Sequence, residues 1–146
     1  MADKPTVYIL NGPNLNMLGI REPEIYGCET MDDVAAMLED KAQGINISID
    51  MRQSNHEGHL VDWIQEAYAS GAKAIILNAG ALTHTSMALY DAIRAVETPV
   101  IEVHISNPAA REHYRAESWI GKAALGTISG FGVQSYALAL DAAAKL

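Results

Sequence analysis

The sequence predicts an α/β protein, a doubly wound sheet of at most five parallel strands with helices on both faces. Short β-branched apolar runs alternate with stretches of helical spacing along the whole chain, and glycines or capping residues mark most of the boundaries. The first run, Thr6–Asn11 (TVYILN), reads as a buried strand. Asn11 to Cys28 is a polar connection carrying Gly12, Pro13, Gly19, Pro23 and Gly27. Connections beyond about 12–15 residues are uncommon in compact domains and often functional. Thr30 and Asp33 form a capping-box pattern, and Val34, Met37 and Leu38 give a helix ending at Gly44. Ile45, Ile47 and Ile49 alternate with Asn46, Ser48 and Asp50, the pattern of a half-exposed edge strand, with a loop from Arg52 to Gly58. Leu60, Val61, Ile64, Ala67 and Tyr68 are helically spaced, and Gly71 closes that helix.

Ala74–Leu77 (AIIL) is the third strand, followed by a small-residue turn, Asn78 to Ala81. Thr85 or Ser86 caps a helix carrying Leu89, Ile93 and Val96 and running to Glu97. Pro99 opens the fourth strand, Val100 to Ser106, because proline suits the first residue of a strand. Pro108 to Leu125 is irregular or short-helical, and Gly126–Ser129 (GTIS) is a short fifth strand. Gly130-Phe131-Gly132 turns the chain into an alanine-rich helix reaching Leu146.

A chain of 146 residues favours one domain spanning 1–146, large enough for a core. Hydrophobic residues at 49% and charged ones at 19% are a globular composition. The net charge of −8 argues against nucleic acid as a partner, since phosphate binding needs a basic face. Cys28 stands alone, so no disulfide framework points to an oxidising compartment. Met1 to Pro5 lacks the apolar core of a signal peptide, and no apolar run approaches membrane-spanning length. The expectation is a cytoplasmic protein with neither membrane nor nucleic acid as partner.

In the fourth strand Glu102, His104 and Ser106 alternate with Val103 and Ile105, so a carboxylate, an imidazole and a hydroxyl share one face. Charged groups are costly inside a sheet unless paired, which places the row where the strand leaves the core. Two readings stand: a buried histidine tied to Glu102 for structure, or a general acid whose tautomer Glu102 fixes. The remaining polar residues collect after strands one, three and four, in Asn11–Tyr26, Asn78–His84 and Glu102–Arg115. In a doubly wound sheet those loops share one edge and converge at the switch point, which favours the second reading.

Other chemistry is set aside. Gly12-Pro13-Asn14 lacks the Gly-Lys-Ser/Thr ending of a phosphate loop, and no GxGxxG is present. His56-Glu57-Gly58-His59 is one residue short of the zinc-binding HExxH and reads as a solvated helix start; no metal is expected. Lys4, Lys41, Lys73, Lys122 and Lys145 do not follow core strands at the site edge, which disfavours an iminium-forming lysine. Proton transfer remains. Tyr26 and Arg21 share the first connection, and a nearby cation lowers a phenol's pKa by about 1–3 units from about 10. Each also has a bland reading, Tyr26 as loop packing and Arg21 as a solvated charge.

Asn11-Gly12-Pro13-Asn14-Leu15-Asn16-Met17-Leu18-Gly19 and Arg21-Glu22-Pro23-Glu24-Ile25-Tyr26-Gly27 resemble the N-terminal signature of type II 3-dehydroquinate dehydratases. Arg52 to Gly58 (RQSNHEG), Asn78-Ala79-Gly80 with Leu82 to Ser86, and Glu102 to Asn107 (EVHISN) resemble the family's later motifs in the same order. The resemblance runs from about Val7 to the final helix. It implies a flavodoxin-like fold and dehydration of 3-dehydroquinate to 3-dehydroshikimate in the shikimate pathway or in quinate breakdown. The implied route passes through an enolate with neither cofactor nor metal.

By the same resemblance Tyr26 takes the C2 proton, Arg21 favours its phenolate, and Asn14 stabilises the enolate through a water. His104 protonates the departing C1 hydroxyl, assisted by Asn78, and Glu102 orients the histidines. The substrate carboxylate sits on Ser106 and the backbone at Ile105, with His84 and Arg115 on ring hydroxyls. Asp91 reaches a neighbouring subunit's site in a homododecamer, a tetramer of trimers. Arg21 and Tyr26 are expected on a lid hinged at Gly19 and Gly27. Two positions depart from the family pattern. Tyr90 stands where Arg is frequent, and Pro108-Ala109 replaces an Ile/Val-His pair. The competing readings are a flavodoxin-like binding domain holding a flavin and an acid–base lyase or isomerase for another hydroxy-keto acid. The missing phosphate loop argues against the former.

Overall fold

The computed structural model describes residues 4–20, 22, 24 and 28–146. Five strands form one parallel sheet: β1 (Thr6–Asn11), β2 (Ser48–Gln53), β3 (Ala74–Asn78), β4 (Val100–His104) and β5 (Gly126–Ser129). Their spatial order is β2-β1-β3-β4-β5, the flavodoxin-like arrangement, with the switch point between β1 and β3. Helices α1 (Met31–Gly44), α2 (Glu57–Ala69) and α3 (Met87–Ala95) lie between strands, and α4 (Gln134–Ala144) follows β5.

The two-residue period of the strands sorts the core into two layers. Val7 and Ile9 of β1, Ala74 and Ile76 of β3, and Ile101 and Val103 of β4 pack with Val34 and Leu38 of α1 and Tyr136 and Leu140 of α4. Tyr8 and Leu10, Ile75 and Leu77, and Val100 face the opposite side, against Leu60 and Ile64 of α2 and Leu89 and Ile93 of α3. Helices therefore cover both faces. No helix among the described residues is long and apolar enough to cross a membrane.

Local rules account for the element ends. Thr30 Oγ1 accepts from Asp33 N at 3.2 Å while Asp33 Oδ2 accepts from Thr30 N at 2.9 Å, a reciprocal capping box. Ser86, rather than Thr85, caps α3 by accepting from Leu89 N at 3.0 Å. Some boundaries differ from expectation. β2 begins at Ser48, not Ile45, because Ile45 closes α1 and Asn46 turns the chain with φ of 58°. It continues through Arg52 and Gln53, which pair with Leu10 and Asn11 across the ladder instead of opening a loop. Its edge position and partial burial are as the alternation indicates. Helix α3 stops at Ala95, two residues early, as Val96 turns extended. β4 ends at His104, so Ile105 and Ser106 bend over the sheet edge.

Candidate active site

The loops after β1 and β3 interlock at the switch point. Gly12 N donates to Asn78 O at 2.8 Å, and a Cβ on Gly12 would lie 2.4 Å from Ala79 O, so only glycine fits. The loop after β2 braces this junction. Gln53 Nε2 donates to Gly12 O at 3.2 Å, and Asn55 Oδ1 accepts from Asn14 N at 3.0 Å, holding Asn14 in the left-handed region at φ 70°. Ser54 N donates to Asn11 O at 3.0 Å, and Ser54 Oγ meets His59 Nδ1 at 2.7 Å. The Arg52–Gly58 motif thus supports the first loop from below, and His59 is engaged there at the helix start.

A cleft opens above this junction, lined by Asn14, Asn78, His84, His104, Ile105, Ser106 and Arg115 together with Pro13, Pro108 and Arg111. Seven of the predicted site residues are thereby brought together, and Glu102 lies directly beneath His104. Arg21 and Tyr26, and with them the Gly27 hinge, lie outside the described residues. Asp91 is exposed on α3 and is not among the residues lining this cleft.

Glu102 sits mid-strand at 2% exposure, deeper than a group at the rim. It is tolerated because both carboxylate oxygens are hydrogen-bonded. His104 Nε2 lies 2.6 Å from Oε2, Ser118 Oγ donates to Oε2 at 2.6 Å, and Thr127 Oγ1 donates to Oε1 at 2.8 Å. Gly121 permits this closure, since a Cβ there would come within 2.8 Å of Oε1. Burial pushes the carboxyl up, but the bonds from His104, Ser118 and Thr127 outweigh it and hold it below its ordinary value of 4.5. His104 is placed with Nε2 on a carboxylate, which leaves Nδ1 for the cleft.

This depression has a pH consequence. A carboxyl whose folded pKa is lowered contributes stability above its unfolded value, and that contribution is lost as pH falls through the folded value. Urea unfolding of the wild type should therefore show stability falling more steeply than in Glu102→Gln as the pH drops below about 4.5. Equal slopes for the two proteins would mean that Glu102 is not ionised in the fold.

The other site residues have their own supports. His84 ends a 3-10 turn, Gly80–His84, and its Nδ1 meets Glu117 O at 2.7 Å. Glu102 therefore bonds one histidine and a backbone carbonyl positions the second. Arg111 Nη1 donates to Ser106 Oγ at 3.3 Å, and Arg115 Nε donates to Glu112 Oε2 at 2.7 Å. Tyr90 packs edge-on to Trp119 at 6.1 Å with Arg94 over its ring, so the departure from the family pattern is absorbed as an aromatic contact beneath the 108–125 loop. Pro108 opens a 3-10 turn and lines the cleft. Lys122 comes nearer than its position in sequence indicates. It lines an adjoining recess with Glu102 and His104, its ammonium hydrogen-bonded to Glu117 and set 4.3 Å over the Trp119 ring. Sequence reasoning passed over Ser118, Thr127, Gln53, Asn55 and Tyr136, all distant in sequence from the groups they hold. Only the motif around Gln53 and Asn55 drew notice, without a role.

A flavodoxin-like sheet whose switch-point cleft gathers a carboxylate-bound histidine, amides and arginines defines an α/β protein equipped for acid–base work on a small polar anion. The family model for class II dehydroquinases matches residues 5–144. A 3-dehydroquinate dehydratase from Phenylobacterium zucineum is 54% identical over 140 residues, covering 96% of each chain. The crystal structure of a type II dehydroquinase from Butyrivibrio crossotus superposes with a TM-score of 0.94 at 43% identity, covering 95% of this chain and 97% of its own. That of the Propionibacterium acnes type II dehydroquinase gives 0.95 at 38% identity with full coverage of both chains. The chain belongs to the class II dehydroquinase family.

Proposed function

We propose that this cleft dehydrates 3-dehydroquinate to 3-dehydroshikimate in the shikimate pathway, by cofactor-free elimination through an enolate. The family supplies the hydro-lyase activity; the observation that carries the residue assignment is His104 in the lining of the cleft with Nε2 on the buried carboxylate of Glu102. A β-hydroxy ketone loses water readily once its α-proton is removed, so a base, an enolate stabiliser and an acid suffice. Tyr26, with Arg21 favouring its phenolate, is the base. Asn14 stabilises the enolate through a water. His104, recharged from solvent and held by Glu102, delivers a proton from Nδ1 to the leaving hydroxyl, with Asn78 beside it. Ser106 and the backbone at Ile105 receive the carboxylate, and His84 and Arg115 hold ring hydroxyls.

The test is to add 3-dehydroquinate and follow the ultraviolet absorbance of the conjugated enone. Turnover should persist in chelator, and borohydride added with substrate should leave no adduct. A trapped adduct, with Lys122 the residue to inspect, would replace the enolate with an iminium.

The same reading includes the tetramer of trimers, with Asp91 completing a neighbour's site. Its exposure on α3, outside the cleft lining of its own subunit, supports this. Light scattering should give a dodecamer, and activity should fall on dilution into smaller species. Full activity in a verified monomer would remove the cross-subunit role.

A further inference from the structure

We infer that Tyr136, on the final helix and outside the cleft lining, is a positioning residue that obliges Asn78 to present an N–H, not a carbonyl oxygen, to the cleft. The inference rests on the dehydratase reading and deepens it. Asn11, Tyr136 and Asn78 are 0%, 0% and 3% exposed. Asn11 Nδ2 donates to Arg52 O at 3.1 Å, Tyr136 OH donates to Asn11 Oδ1 at 2.6 Å, and Asn78 Nδ2 donates to Tyr136 OH at 2.8 Å. Asn78 Oδ1 in turn accepts from Gly80 N at 3.3 Å.

Both ends of this relay are backbone groups whose sign cannot change. The Arg52 carbonyl only accepts, so Asn11 must face it with its amide nitrogen and turn its oxygen to Tyr136. A phenol has one proton, and Asn11 takes it; Tyr136 can then only accept from its other neighbour. At the far end the Gly80 N–H only donates, which demands the oxygen of Asn78. Two independent constraints thus set the same amide orientation. Burial also pushes the Tyr136 phenol up, so its proton stays in place across the working pH range. The relay uses one of Asn78's two amide hydrogens and leaves the other for the cleft that Asn78 lines. A fixed donor costs no reorientation when negative charge develops on the substrate oxygen, whereas a flipped amide would repel it.

The test is a double-mutant cycle with Tyr136→Phe and Asn78→Ala, reading kcat, KM and thermal unfolding. A residue acting through Asn78 should lower kcat by about 10–100-fold with KM nearly unchanged, the mark of an interaction made mainly in the transition state. In the Asn78→Ala background Tyr136→Phe should then change kcat by less than about twofold, because coupled residues are not additive. A merely structural tyrosine would instead lower the unfolding temperature in both backgrounds and change kcat by the same factor in each. That result, or a folded Tyr136→Phe with wild-type kcat, overturns the inference. If Tyr136→Phe does not fold, Asn11→Ala frees the phenol proton to turn toward Asn78 and should give the same loss of kcat; wild-type kcat in that variant overturns the inference equally. A wild type without turnover would sink the dehydratase reading instead. The relay is then judged from the Asn78 side-chain amide resonances, which should shift in Tyr136→Phe and whose constancy would refute it.

Discussion

His104→Ala should lower kcat for 3-dehydroquinate by about 10²–10⁴-fold, the range a positioned general acid supplies, with circular dichroism unchanged. Hydroxide is a poor leaving group near neutral pH, so the proton must arrive as the C–O bond breaks. The structure offers a histidine whose ring is fixed by a 2.6 Å contact to Glu102, itself locked by Ser118 and Thr127. Truncation also leaves the Glu102 carboxylate without one of its three partners, so some stability is lost alongside activity. Unfolding measurements separate the two effects. A folded His104→Ala retaining more than about a tenth of kcat, only about 1.4 kcal/mol of barrier, would remove His104 as the acid.

Tyr26→Phe should be at least as damaging, with kcat down by about 10²–10⁴-fold or more, because no elimination begins until the C2 proton leaves. Solvent exchange distinguishes the two variants. In heavy water His104→Ala should still exchange the C2 proton of 3-dehydroquinate, since the enolate forms and returns. Tyr26→Phe should exchange it no faster than buffer. If the two variants behave in the opposite sense, base and acid have been interchanged. Arg21→Ala provides a further check. Losing the cation raises the phenol's pKa, so the rate should need a more alkaline pH to reach its plateau.

Much of the fold was legible because its signals are local. The capping box at Thr30 and Asp33 and the buried run of β1 each depend on a few adjacent residues. The boundary errors are equally physical. The isoleucine alternation at 45–49 is real, yet Asn46 adopts a left-handed turn and Ile45 serves as a helix cap, so tertiary context overrode the period. In the candidate site, Glu102 and His104 were paired from their two-residue spacing, and the structure joins them. The partners that let a carboxylate stay buried were not legible. Ser118 and Thr127 lie 16 and 25 residues from Glu102, in segments whose composition reads as ordinary loop and edge strand.

The sequence alone determined the alternation of strands and helices, the ordered motifs that mark the class II dehydroquinase family, and the residue types from which a base, an acid and supporting amides are proposed. These are properties of composition and of spacing within single elements, and period and residue type express them directly. Only the tertiary structure decided which groups meet. It set His84 on the Glu117 carbonyl rather than on Glu102, placed Lys122 in the lining of a recess shared with Glu102, and tied Asn78 to Tyr136 across 58 residues. Hydrogen-bond partners in a parallel sheet are fixed by crossover connections and by the convergence of loops at one edge. No periodicity along the chain encodes that convergence, so the orientation of the amide and imidazole follows from packing and not from motif.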